Sequence, residues 1–212
     1  NECSEKDLTK IAMNIQVYDD LNILIKENKS IIGALSALFK FTSVPGVPYL
    51  IANHQILITL LECKTRVSQR LQIFTSLFIS QEFLENTTVS DGVIKLLVNA
   101  IKDEKLNAYA LRLIGVLSTH EAGCKMIYDT GMLQLFIQLF LSPNCSDFTT
   151  SMTIISNISK HKLPIPQLSL IISCLIHDLI GSTTNRKKIL VTLIDIVENF
   201  RVLLQESHLS SH

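Results

Sequence analysis

Apolar residues return every three to four positions along most of the chain, as in Val93, Leu96, Leu97 and Ile101, and then Leu111, Ile114 and Leu117. That spacing places them on one face of a helix. It predicts amphipathic helices whose buried stripe includes Leu97 and Leu117. No segment alternates apolar and polar residues over strand length between turn residues, so an all-α chain with essentially no sheet is expected. Polar, turn-forming stretches such as Asp103-Glu104-Lys105 and Ser142-Pro143-Asn144 separate the helical runs.

The helical pattern repeats. Gly92-Val-Ile-Lys-Leu-Leu-Val-Asn-Ala-Ile101 is answered 39 residues later by Gly131-Met-Leu-Gln-Leu-Phe-Ile-Gln-Leu-Phe140. Ala110 to Ser118 is matched by Ser151 to Ser159, 41 residues on. Upstream, Gln55–Leu61 leads to Leu71–Ser80, and Gln16–Ile25 leads to Ala34–Thr42. Thr42, Ser80, Ser118 and Ser159 then stand 38, 38 and 41 residues apart. A short helix precedes each pair at Gly46–Ala52, Glu82–Asn86 and Glu121–Tyr128. A less regular fifth unit runs from Leu163 through Leu175 to Phe200, with Gly181-Ser-Thr-Thr-Asn185 as its turn and its outer helix as a cap. The expected segments are 5–42, 43–80, 81–118, 119–159 and 160–205, in one domain spanning 1–212.

A unit of about 40 residues with three helices, with Gly92 and Gly131 opening the second helix and Asn157 near the end of a third, resembles the armadillo repeat. The likeness is best over Gly92 to Lys160 and extends over about four-fifths of the chain, with HEAT-like repeats sharing the apolar pattern. It implies a right-handed α-solenoid of four to five three-helix repeats. It also implies a concave groove lined by the third helices, where the family uses a Trp, and an Asn four residues later, to hold an extended peptide. The corresponding pairs here are Ser36 and Lys40, Phe74 and Phe78, Arg112 and Val116, and Thr153 and Asn157. Only Asn157 matches, and the chain has no Trp.

The groove would therefore be mixed in character. Phe74, Phe78 and Val116 would supply apolar area and Lys40 and Arg112 would supply donors, which suits an amphipathic helix or a short acidic-hydrophobic segment of a partner protein. Phe74 and Phe78, four apart on one face, read more readily as core, so Arg112 and Lys40 are the first candidates to face a partner. We expect a protein-binding adaptor or scaffold. A homodimer is the alternative within that class, and a nucleic-acid-associated helical repeat the alternative outside it.

Composition narrows these classes. Lysine and arginine (19) balance aspartate and glutamate (19), which removes the strong positive field that sequence-independent nucleic-acid binding uses. The basic groups Lys64-Thr-Arg66 with Arg70, Lys160-His-Lys162 and Arg186-Lys-Lys188 read as solvated linker faces. Apolar residues make up 47% of the chain, yet no run reaches the length of a membrane span. The polar start at Asn1–Lys10 lacks a signal-peptide core, and a beginning at Asn rather than Met suggests a fragment of a longer protein. Cys3, Cys63, Cys124, Cys145 and Cys174 lie far apart without paired spacing, as expected of reduced thiols in the cytoplasm or nucleus.

No phosphate loop, nucleophile elbow, HExxH or CxxC motif occurs, so no catalytic residue, cofactor or metal is expected and the chain reads as a non-enzyme. His54, His120, His161 and His177 fall at loops or helix ends, where a solvated or capping imidazole is expected. Asp19-Asp20 and Asp103-Glu104 read as surface charge. Glycosylation sequons at Asn28, Asn86, Asn144 and Asn157 are discounted, the last because it falls within a core helix.

Overall fold

The computed structural model describes residues 5–140, 147–161, 165–181 and 186–209. The Ser142-Pro143-Asn144 linker, Cys3, Cys145, Lys162, Leu163 and the turn residues 182–185 lie outside them, as do the side chains of Cys174, Lys188 and Phe200. Among the described residues the fold is all-α, with fourteen helices and no strand. They are α1 Glu5–Ala12, α2 Ile15–Lys26, α3 Ile31–Thr42, α4 Val47–Ile51, α5 Gln55–Glu62, α6 Val67–Phe78 and α7 Gln81–Asn86. After them come α8 Ser90–Ile101, α9 Asn107–Leu117, α10 Glu121–Asp129, α11 Met132–Phe140, α12 Phe148–Ser159, α13 Ile165–Gly181 and α14 Arg186–Leu209.

Two compact units make up the chain, Asn1–Leu117 and Ser118–His212. In the first unit α3, α6 and α9 pack in succession, and α2, α5 and α8 do the same alongside, with α2 against α3 and α8 against α9. The short helices α4 and α7 pack on one another. In the second unit α10 lies on α11, and α14 packs on both α12 and α13.

Local chemistry sets the helix ends. Asn14, Ser80 and Asp147 occupy the residue before α2, α7 and α12, and each accepts a hydrogen bond from a backbone N–H of the first turn. His54 does the same for α5: its Nδ1 accepts from Ile56 N–H, so its proton sits on Nε2, 3.2 Å from Asp19 Oδ1. The two aligned glycines do different work. Gly131 has φ +71°, a left-handed turn before α11. Gly92 is helical, and a Cβ there would sit 2.3 Å from Leu61 Cδ1, so it lets α8 approach α5. Helix α1 precedes the first periodic segment, which begins at Gln16. It is tied down by Tyr18, a fully buried side chain of α2 whose hydroxyl donates to Ala12 O at 2.6 Å.

Leu97 and Leu117 are fully buried, as their place in the apolar stripe requires. Phe74 and Phe78 on α6 belong to that core, with the Phe78 ring edge-on to Phe83 of α7 at 5.1 Å.

Candidate functional site

One burial pattern recurs on four helices: two buried residues, one open, two buried, two open, two buried. It begins at Arg70 on α6, Ala110 on α9 and Ser151 on α12, and at Ala34 on α3, where Ala37 is half-buried instead of buried. The starts are therefore 36, 40 and 41 residues apart, not 38, 38 and 41. In this register the open pair is Ser36 and Lys40 on α3, Arg112 and Val116 on α9, and Thr153 and Asn157 on α12, each at the position expected from the sequence.

On α6 the expectation fails by two residues. Phe74 and Phe78 are fully buried and unavailable to a partner; the open positions are Gln72 and Ser76. The slip comes from matching Ser80 with Ser118 and Ser159 by residue type. Ser80 lies beyond the end of α6 and caps α7, its hydroxyl accepting from Phe83 N–H at 3.3 Å.

Within the first unit, Lys40 and Arg112 are exposed on the two helices that flank α6. The Arg112 guanidinium lies 5.9 Å from the centre of the Tyr109 ring, three residues earlier on the same helix, which limits its wandering. Val116 is half-buried. Phe39, next to Lys40, is 44% exposed, so α3 presents an aromatic beside its cation. No aspartate or glutamate occurs anywhere in α3, α6 or α9. An open depression of about 370 Å³ adjoins the C-terminal ends of α3 and α6, lined by Ser43, Tyr49, Ser76 and Ile79 among others.

Arg70, grouped by sequence with the solvated basic residues, is instead 3% exposed. It stands where α3 and α9 carry alanine. Its Nη1 donates to Leu60 O at 2.9 Å and Leu61 O at 3.4 Å, satisfying carbonyls at the C-terminal end of α5, where a cation also suits the helix dipole. Desolvation pushes its pKa down, while the neighbouring Cys63 thiol opposes that shift.

In the second unit the open pair on α12 is differently equipped. Thr153 is exposed and its hydroxyl donates to Thr149 O at 3.1 Å. Asn157 is half-buried and its Nδ2 donates to Ser118 Oγ at 3.2 Å. The same contact occurs two helices later, where Asn199 Nδ2 of α14 donates to Ser159 Oγ at 3.3 Å. Beside it, Cys124 is buried and donates to Ser118 O at 3.3 Å, and Tyr128 donates to Ile158 O at 3.2 Å. Burial raises the Cys124 pKa to about 11, with a lowering contribution from its hydrogen bond to Tyr128 and a raising one from Glu121.

Among the described residues no group of three or more histidine, cysteine, aspartate or glutamate side chains could hold a metal ion. No described helix is long and apolar enough to cross a membrane.

Solved structures share this fold. Two crystal structures of engineered proteins from the Northeast Structural Genomics Consortium align with TM-scores of 0.65 and 18% identity; one alignment covers 92% of this chain and 88% of the other, the second 94% of each. A third engineered protein from the same consortium aligns with a TM-score of 0.64 and 17% identity over 92% of this chain and 53% of its own. At these identities the likeness concerns fold alone. No family model matches the chain, and no curated protein matches its sequence.

Proposed function

We propose that this chain is an armadillo-like right-handed α-solenoid of four to five repeats, acting as an intracellular adaptor rather than an enzyme. Its face on α3, α6 and α9 holds an acidic-hydrophobic or amphipathic helical segment of a partner protein. The observation that carries this reading is the charge asymmetry of that face. Lys40 and Arg112 are exposed on helices that carry no carboxylate, although the chain as a whole has as many acidic as basic residues. Such a surface favours acidic partners and disfavours basic ones, and its aromatic and arginine side chains are types that contribute strongly to binding when covered. Thr153 and Asn157 extend the candidate list on α12, with Asn157 already engaged by Ser118. That engagement also supports an intracellular setting, because a glycan on Asn157 would displace the bond.

The test is selection from a displayed peptide library with the wild-type chain and with Lys40→Glu/Arg112→Glu, both first shown by circular dichroism to be helical. Wild type is expected to enrich acidic-hydrophobic sequences and the variant to lose them. Enrichment of the same peptides by both proteins, or of peptides with no charge bias, would overturn the assignment of this face.

A further inference from the structure

The matching bonds Asn157–Ser118 and Asn199–Ser159 align α14 with α12 at an offset of 42 residues. In that alignment the buried Met152 and Ile155 correspond to Ile194 and Val197, which are 56% and 62% exposed. Ser159, buried like Thr42, Phe78 and Ser118 at the same place in the pattern, corresponds to the exposed Arg201. A further helix of the same kind laid on this face would bury that guanidinium, at a cost of several kcal/mol unless it found a partner. The face is thus apolar in the middle and charged at its ends, unlike an interior layer.

Its spacing reads alike in both directions. Lys187, Val191, Ile194 and Glu198, all exposed, stand four, three and four residues apart. Turning one copy of α14 end for end over another brings Val191 against Ile194 and Lys187 against Glu198, each contact made twice. A parallel arrangement would set lysine on lysine and glutamate on glutamate. On the neighbouring helix α13, Ile176 and Ile180 are also exposed. With Leu190, Val191, Ile194 and Val197 they make six large apolar side chains on these two helices that are about half or more exposed, the kind of surface that marks an interaction site.

We propose that this face docks a second copy of the same chain, with the two α14 helices antiparallel about a two-fold axis between Val191 and Ile194. The inference stands apart from the adaptor reading, since it uses other helices and another surface. A two-fold contact is self-complementary by construction, which the Lys187 and Glu198 placement satisfies.

Sedimentation velocity of the full chain over a concentration series tests it. The expected result is a reversible species of twice the chain mass that Ile194→Glu removes. Lys187→Glu and Glu198→Lys are each expected to weaken the dimer roughly tenfold, with the doubly swapped chain regaining it. All these side chains are exposed, and unchanged circular dichroism, with unchanged melting at a concentration where the chain is monomeric, would show that the variants remain folded. A chain that stays monomeric throughout, a dimer that survives Ile194→Glu, or a double swap without recovery would each overturn the proposal.

Discussion

Helices α6 and α14 are both apolar, but their surroundings give that apolar content opposite consequences. Helix α6 sits between α3 and α9, and Leu71, Ile73, Phe74, Leu77 and Phe78 are all fully buried. Helix α14 packs mainly on α12 and α13, and while Ile189 and Ile196 are buried, Leu190, Val191, Ile194 and Val197 stay about half or more exposed. An apolar stripe reports how much surface a helix can bury; the number of neighbours decides how much it does bury.

The largest test of this contrast is truncation. Phe74→Ala is expected to lower stability by about 3–5 kcal/mol in urea unfolding, whereas Ile194→Ala should stay within ~1 kcal/mol when measured at a concentration where the chain is monomeric. Comparable losses at the two positions would remove the distinction. Next is the polar group that α6 buries. Arg70→Ala strips two carbonyls at the end of α5 of their donor and should cost about 1–3 kcal/mol, with Arg70→Met recovering the packing share and leaving only the hydrogen-bond share lost.

Burial also has a pH signature. The Cys124 thiol ordinarily ionises near 9.0 but is held protonated to about 11 in the fold. Above pH 9 the unfolded chain releases this proton and the folded chain does not, so stability falls as pH rises from 9 towards 11. Between pH 9 and 10 the thiol's own share of the decline is roughly 1 kcal/mol and should be absent from Cys124→Ala, while the share from the buried Tyr18 and Tyr128 hydroxyls, whose pKa values burial also raises, should remain. The smallest effects concern the paired amides. Asn157→Ala and Asn199→Ala should each cost about 1 kcal/mol in thermal unfolding. A silent Asn199→Ala would remove the alignment of α14 with α12.

Much of the helix order was legible, because the periodic apolar stripe specifies where a helix must lie. The segments starting at Gln16, Ala34, Gln55 and Ser151 fall within observed helices, and the one starting at Ala110 does so up to Leu117. Helix α1 was passed over because its charge dominates a short segment, although Leu8, Ile11 and Ala12 carry the three-and-four spacing. Lys40, Arg112, Val116, Thr153 and Asn157 could be located because α3, α9 and α12 share a register. Phe74 and Phe78 were misplaced because serine serves two ends: Ser118 and Ser159 close a buried series, while Ser80 opens the next helix. The bulk of two phenylalanines in one helix was the better guide. Arg70 was read as surface because its burial depends on carbonyls ten and nine residues upstream, a relation that no local pattern displays.

The two amide contacts bear on mechanics as well as stability. Purely apolar ridges are interchangeable enough that one helix could slide along another by a turn, about 5.4 Å, and still find grooves to fill. Asn157 and Asn199 act as keys in slots: any such slide would strand a half-buried amide without its serine. At the matching place α9 carries Val116, whose side chain has no such donor. Under a sideways load, then, α12 and α14 should hold their positions as a stiff block.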